Sequence, residues 1–206
     1  STIVFEPRAN RSAWSVYTAH GPAKPVQHMA LNLGAPGDRR DAYGKLWLGY
    51  PRPSSRAGLA LPLHIGPLSP FGLSGSYFQH NSESYSVTNT KTPWLFSSGM
   101  FGITRCELPL IERGQSAASY RVRLYFAAHE DDQPGQRVFN IRLQGRTVAE
   151  SVDVRQQAGA SRKAVELEFD NVLVSERLAI ELVPVGNSSD RSVPSLCAIE
   201  VLRSGE

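Results

Sequence analysis

Cysteine, methionine and long apolar runs are scarce in this sequence. Its 206 residues include 2 cysteines and 2 methionines, and no window is apolar enough to span a bilayer. Two cysteines do not make a metal cluster. Cys106 and Cys197 each alternate with apolar neighbours, so both are expected to face the core as small hydrophobes. A disulfide between them stays open, because sequence does not give the Cα separation that a disulfide needs.

The chain also lacks a targeting signal at its start. Ser1 to Pro7 shows no basic stretch followed by an apolar one, which a signal peptide would have. The chain is therefore interpreted either as cytosolic or as a mature or excised piece of an exported protein.

Charge is modest in amount and uneven in distribution. Residues 1–100 carry 9 Lys and Arg against 4 Asp and Glu, whereas residues 101–206 carry 13 against 15. A basic half can mark a nucleic-acid surface. Here the arginines are scattered and no recognition helix or RNA-binding motif accompanies them, so we expect a solvated basic face and no nucleic-acid partner.

Turn residues and period-2 patterns dominate what is present. The sequence holds 17 glycines and 14 prolines, which suits many turns. Clean one-sided alternation predicts antiparallel strands with one buried face. It occurs in Tyr120–Phe126, Val138–Gln144, Val165–Phe169 and Leu178–Leu182. The fold class is therefore predicted as all-β, an antiparallel β-sandwich with long loops.

The first half is less regular. The pattern of residues 1–28 predicts an irregular arm or the remnant of a preceding domain. Residues 29–206 are predicted to form one sandwich domain. Residues 51–92 are rich in Ser, Gly and Pro, and a loop-rich stretch of this length often carries an insertion or a site. The other expected strands are Met29–Leu33, Lys45–Tyr50, Gly58–Leu63, Ser76–Phe78, Trp94–Phe96 and Gly102–Leu110.

Motifs for catalysis are missing. There is no Gly-x-Ser-x-Gly elbow, no His-Glu-x-x-His helix and no phosphate loop. The five histidines have no ligand spacing. A pair of acids for glycoside hydrolysis cannot be judged from sequence. We predict that the chain is not an enzyme and needs no cofactor.

Two polar loops are candidate sites. His129, Glu130, Asp131 and Asp132 form the densest polar cluster. It is open to three interpretations: a solvated loop, the edge of a ligand site, or a Ca²⁺ site built from loop carboxylates. Asp38 and Asp41 form a second acidic loop, in which neighbouring arginines favour internal salt bridges over a structural Ca²⁺.

Aromatic residues are the positive signal for a sugar surface. Trp94 and Phe101 are interpreted as core. Tyr77, Phe78 and Tyr85 lie in polar surroundings and are predicted to be exposed stacking residues, and Tyr125 is predicted to point to the solvated face of its strand.

The order of strands in the second half carries a family resemblance. Tyr120 to Ala128, a polar loop, the unit Val138–Gly145 and the ending Pro194–Val201 resemble the malectin family. That resemblance implies a jelly-roll sandwich that binds carbohydrate without chemistry. The loop Asn32–Asp41 with Gly44–Pro51 resembles the region that joins such modules to a preceding pyrroloquinoline-quinone-type β-propeller in large bacterial proteins. An accessory domain of a periplasmic or secreted protein is implied.

The resemblance also implies where a ligand would bind. The family's aromatic pair in the loop after the Tyr-Phe-Ala-like strand is replaced here by Glu130 and Asp131. We therefore expect a site formed by Phe96, His129, Glu130, Asp131 and Asp190, with Tyr77 or Tyr85 as a lid. Recognition of a glycan or polysaccharide should rely on hydrogen bonds to hydroxyls or on a bridging cation rather than on stacking. The alternative is a structural or protein-interaction module that packs against a neighbouring domain and binds no sugar.

Overall fold

A computed structural model of the protein describes residues 2–8, 11–17, 24–51, 64–65, 76–186 and 192–205. Its strands are, in chain order, β1 (Thr2–Arg8), β2 (Arg11–Tyr17), β3 (His28–Leu33), β4 (Arg39–Arg40), β5 (Leu46–Tyr50), β6 (His64–Ile65), β7 (Tyr77–Gln79), β8 (Ser98–Phe101), β9 (Arg105–Pro109), β10 (Ala118–Ala127), β11 (Val138–Leu143), β12 (Arg146–Asp153), β13 (Ala164–Val174), β14 (Arg177–Pro184), β15 (Ser195–Leu196) and β16 (Ala198–Arg203). The helical parts of the described residues are a 3₁₀ turn, Pro93–Phe96, and a short helix, α1 (Val154–Ala158). The predicted all-β fold class is confirmed. None of the described helices is long and apolar enough to cross a membrane.

Two sheets face each other across the main core. One has six strands in the order β13-β10-β16-β3-β5-β4, and the other has five in the order β12-β11-β14-β9-β6. A three-stranded sheet, β15-β8-β7, and a hairpin of β1 with β2 complete the described strands. The residues that alternate inward meet in one buried cluster, which includes Tyr120, Leu124, Phe139, Ile141 and Leu182. Period-2 alternation was therefore a sound guide to the inner face.

One pairing departs from the predicted antiparallel pattern. β3 and β5 are parallel, with Leu31 opposite Leu48. Between them the chain crosses to the sheet edge, where β4 runs antiparallel to β5. β5 then lies between β3 and β4 and runs in the direction of β3. A parallel neighbour needs such a crossover connection, and the Gly- and Pro-rich stretch after β3 provides it.

A second buried cluster covers the outer face of the six-stranded sheet. It joins Trp47, Leu95 and Phe96 with Tyr125 of β10, and Tyr85 packs into it as well. The prediction that Tyr125 is solvated was wrong, because its side chain is only 4% exposed. The alternation itself was read correctly, but the chain that follows β7 folds over this face and buries it.

The two cysteines are both buried and free. Cys106 lies in the main core and Cys197 in the second cluster. Cys197 was expected on the same face as Ile199, and that was wrong. It lies in the gap between β15 and β16, where the break in the strand shifts the alternation by one residue.

Two segments of the first half differ from expectation. Trp94–Phe96 is part of a 3₁₀ turn rather than a strand. Pro93 begins this turn and has no N–H for a strand ladder, and the Leu95 N–H donates to the Thr92 carbonyl at 3.0 Å. The N-terminal arm contains the β1–β2 hairpin, which its irregular pattern did not indicate. The predicted strand Gly58–Leu63 lies outside the described residues.

Candidate functional site

A cleft of about 680 Å³ opens where the crossover after β3 meets the chain that follows β7. We call it the loop cleft. Its lining includes Asn32, Asp38, Arg39, Gln79, Asn81 and Trp94. Amide and charged side chains thus surround one aromatic ring, an arrangement that offers both hydrogen bonds and a flat apolar surface.

The floor of the loop cleft is formed by two strand ends in close contact. Asn32, at the end of β3, accepts a hydrogen bond from the Ser98 hydroxyl at 3.1 Å, and both side chains are buried. Gly34 permits this approach. A Cβ on Gly34 would lie 2.8 Å from the carbonyl oxygens of Phe78 and Gly99, and its φ is +68°. The floor therefore requires glycine at this position.

Trp94 forms one wall of the loop cleft. Its ring meets Trp47 edge to face at a centroid distance of 6.5 Å. The guanidinium of Arg39 lies over the Trp94 ring, 4.6 Å from the centroid. Trp94 is only partly buried, so it lies at the border between the second cluster and solvent rather than wholly in the core as expected.

The acidic loop beside the cleft is held by backbone contacts. Asp41 accepts hydrogen bonds from the N–H groups of Tyr43 (2.9 Å) and Lys45 (3.0 Å) and from the Trp47 indole (3.3 Å). Despite some desolvation, these bonds lower the pKa of Asp41. Asp38 accepts from the Gly49 N–H at 3.0 Å. Across the described residues, His, Cys, Asp and Glu side chains nowhere gather into a set of three that could hold a metal ion.

His129 is placed inside the protein rather than on a solvated turn. Its side chain is 9% exposed, and its Nε2 lies 3.0 Å from the buried Ser195 hydroxyl. The rings of Phe78 and Phe101 pack against it at 4.9 and 4.6 Å. Burial lowers the pKa of His129 to about 4, with Arg137 and His80 adding to the effect and Asp132 opposing it.

The three carboxylates that follow His129 point in different directions. Glu130 pairs with Arg162 at 2.5 Å on the exposed side. Asp132 is buried and pairs with Arg137 at 2.7 Å. Asp131 is exposed. A groove of about 900 Å³ runs along this turn, and the described residues that line it are the turn's own, Asp131 to Arg137.

Tyr85 links this turn to the loop cleft. Its ring stacks on His80, which lines the cleft, at a centroid distance of 4.1 Å. The Arg162 guanidinium, paired with Glu130, lies 5.0 Å from the centroid of the same ring. The structure thus brings together Glu130 and Tyr85. Tyr85 is only 8% exposed, so the prediction that it is an exposed stacking residue was wrong.

Two of the remaining predicted site residues, Phe96 and Tyr77, do not join them. Phe96 is fully buried, 6.1 Å from the ring of Tyr125, so the ring is closed to a ligand from solution. Tyr77 is 38% exposed. Burial, with smaller contributions from Tyr50 and Cys106, raises its pKa to about 12. Asp190 lies outside the described residues.

Glu200 is a buried carboxylate beneath the second cluster. It accepts hydrogen bonds from Tyr125 at 2.7 Å and from Lys45 at 2.7 Å, and His28 lies 2.8 Å away. Burial alone would raise its pKa, but these contacts outweigh burial and lower it to about 2. The group is a satisfied structural anion rather than an acid poised for proton transfer.

Sequence reasoning missed most of the loop cleft. Trp94 was interpreted as core, and Gln79 and Asn81 were passed over. A usable signal was present, because Gln79, His80 and Asn81 follow a short strand directly, and Asp38 and Arg39 end a turn-rich loop. Loops at strand ends gather at one rim of a sandwich, where binding residues concentrate.

Comparisons with known proteins concern the family and the fold. The family model of the malectin domain matches residues 72–191. No curated protein matches the sequence.

Solved structures with a similar fold include a β-glucuronidase from Bacteroides uniformis (TM-score 0.65, 13% identity, 98% of this chain and 22% of that one). The extracellular domain of ANXUR2 from Arabidopsis thaliana is also similar (TM-score 0.62, 13% identity, 85% and 48%). So is a plant receptor-like kinase, FER (TM-score 0.62, 18% identity, 85% and 48%). The chain spans less than half of each, and at these identities the likeness concerns the fold.

Proposed function

Since the chain belongs to the malectin domain family, we propose that it is a non-catalytic carbohydrate-binding module and that the loop cleft is its binding site. The fold is of a carbohydrate-binding type.

The observation that carries the proposal is the lining of the loop cleft. Sugar rings present C–H faces that stack on aromatic side chains, and their hydroxyls need oriented donors and acceptors. The partly exposed ring of Trp94, which also carries the Arg39 guanidinium, offers the first, and the exposed side chains of Gln79 and Asn81 offer the second. The open, largely polar lining suits a hydrated sugar better than an apolar ligand.

Two features support a role without catalysis. Glycoside hydrolysis needs two carboxyl groups about 5–10 Å apart, and the described residues that line the loop cleft include one carboxylate, Asp38. Ser195 contacts His129, but both side chains are buried. A substrate therefore has no access to that pair.

The setting is proposed from the resemblance. Joined to a larger extracytoplasmic protein, the module would hold its neighbour near a glycan. This chain matches 22% of a β-glucuronidase and 48% of a receptor ectodomain, which supports the proposal that it is one module of a longer protein. A preceding β-propeller is the expected neighbour.

The alternative, a protein-interaction module, would be favoured by a flat apolar sheet face. Among the described residues, ion pairs lie on the outer face of the five-stranded sheet and on the part of the six-stranded sheet's outer face that the second cluster leaves open. Arg105 pairs with Glu107 and Glu181 on the five-stranded sheet. Arg121 pairs with Asp170 on the six-stranded sheet. These surfaces suit solvent better than a permanent apolar partner.

Titration calorimetry against a panel of neutral and acidic oligosaccharides tests the proposal. We expect a dissociation constant of about 10 µM to 1 mM, because water competes for the polar contacts. Trp94→Ala and Gln79→Ala should each weaken binding. Because Gln79 is exposed, Gln79→Ala is expected to leave the fold intact. It therefore tests binding even if Trp94→Ala destabilises the protein.

A double variant, Glu130→Ala with Asp131→Ala, separates the loop cleft from the turn after β10. Binding that survives this double change supports the cleft. Loss of binding there, with Gln79→Ala unaffected, would move the site to the turn. A folded protein that binds no member of the panel would refute the proposed function.

A further inference from the structure

Arg39 differs from the ion-paired arginines of the described residues. Arg105, Arg121, Arg123, Arg137 and Arg162 each pair with a carboxylate. Arg39 is exposed and lines the loop cleft. Its contact among the described residues is the face of Trp94, 4.6 Å from guanidinium carbon to ring centroid. No carboxylate in the described part of the chain neutralises it.

Stacking on Trp94 orients the guanidinium without using its hydrogen-bond donors. A guanidinium that lies over a ring makes the contact through its flat face, and its N–H groups point outward around the edge. Those donors match the two oxygens of a carboxylate in a planar, bidentate arrangement. Because the ring already limits the side chain's rotamers, less freedom is lost when a ligand binds.

The charges beside Arg39 favour an anion. The two acidic residues of the same crossover are engaged by backbone N–H groups: Asp38 by Gly49 and Asp41 by Tyr43 and Lys45. Arg40 donates to the Gly44 carbonyl and Lys91 to the Tyr43 hydroxyl. Hydrogen bonds with neutral groups leave all of these charges in place, so the positive charges of Arg39, Arg40 and Lys91 outnumber the negative charges of Asp38 and Asp41 by one.

We infer that the loop cleft selects sugars that carry a carboxylate, that is, uronic acids, and that Arg39 is the residue that determines this specificity. The inference rests on the proposed function and names the ligand class for the same site. A charge-assisted, bidentate contact at an exposed rim should strengthen binding by about 10-fold over a neutral sugar of the same shape.

A set of matched ligands tests the inference. The probes are cellotetraose, the same oligosaccharide oxidised at C6 to the uronate, the methyl ester of that uronate, and a C6-sulfate. The ester keeps the shape of the uronate and removes its charge. For the wild-type protein we expect the uronate to bind about 10-fold more tightly than cellotetraose and the ester.

Two arginine variants assign the preference. Arg39→Gln should bind the uronate, the ester and cellotetraose with equal affinity. Arg40→Gln removes the same charge from the next residue, which does not line the loop cleft, and should keep the preference. Unchanged melting temperatures for both variants confirm that the fold is intact.

Several results would overturn the inference. If the wild-type protein binds the uronate and the ester with equal affinity, the cleft is not selective for uronates. If the preference for the uronate persists in Arg39→Gln, Arg39 does not determine it. Sulfate bound as tightly as the uronate shows that any anion suffices. If none of the four probes binds, the inference is also contradicted. The proposed function is contradicted only if no oligosaccharide of the wider panel binds.

Discussion

Tyr125 belongs to the interior of this protein through both its ring and its hydroxyl. The ring meets Trp47 edge to face at 5.3 Å, and the hydroxyl donates to Glu200 at 2.7 Å. Both burial and that hydrogen bond raise the pKa of Tyr125. A hydrogen bond to a buried charge is among the stronger single contacts in a protein.

We therefore expect Tyr125→Phe to lower the free energy of unfolding by about 1.5–3 kcal/mol, measured by urea denaturation at neutral pH. Tyr43→Phe is the control, because Tyr43 is 74% exposed and should tolerate the change. Equal stability of the two variants would mean that the Tyr125 hydroxyl is solvated.

The protonation of a single residue, His129, makes the free energy of unfolding depend on pH. Its pKa is lowered to about 4 in the folded protein, against about 6.5 when unfolded. Between these values the unfolded chain binds more protons, so stability rises with pH there. The contribution is fully present above about pH 6.5 and is lost as pH falls towards 4, by about 3 kcal/mol in all.

Denaturation curves for wild type and His129→Gln at pH 7 and pH 4.5 measure this contribution. The variant is expected to be less stable at neutral pH, because packing against Phe78 and Phe101 is lost, but to lose less on acidification. His80→Gln is the second variant. It removes only the smaller contribution of His80 to the pKa of His129, so most of the pH dependence should remain. Parallel losses in wild type and His129→Gln would contradict the account.

At the scale of elements, the crossover after β3 fixes the floor of the loop cleft. Gly34→Ala must accept a positive φ and a Cβ 2.8 Å from two carbonyl oxygens. We expect a loss of about 2–4 kcal/mol in unfolding free energy together with weaker glycan binding. Gly37→Ala, in the same loop, has no heavy atom within 4 Å of its added Cβ and should leave the free energy of unfolding nearly unchanged. Similar effects of both substitutions would show that the close approach does not matter.

The elements that sequence predicted well are those whose alternation ends in one core. β10, β11 and β14 present every second residue to the main cluster, and Phe139 is buried as expected. The wrong predictions concern segments whose structure is determined by residues outside the segment itself. Trp94–Phe96 reads as apolar and extended, but Pro93 turns it into a 3₁₀ turn. The parallel pairing of β3 with β5 depends on the path of the crossover, which alternation does not encode.

At the scale of the whole molecule, the sequence could indicate that a binding site lies on loops at one rim of the sandwich. It could not indicate which residues form the proposed site. Asn32, Gln79 and Trp94 are far apart in sequence, and packing alone brings them to one cleft. The turn His129–Asp132 was predicted as a site because its charges are dense. Their partners, Arg162 for Glu130 and Arg137 for Asp132, appear only in three dimensions. Glycan binding at the loop cleft is the central claim.

Amide and indole chemical shifts during titration with a glycan that binds test this claim most directly. The sequence has 3 tryptophans, so the indole signals can be told apart. The account predicts saturable shifts of the Trp94 indole and of the amides of Gln79 and Asn81, with the Asp131–Arg137 amides unchanged. Saturable shifts confined to Asp131–Arg137, with the Trp94 indole unmoved, would contradict it.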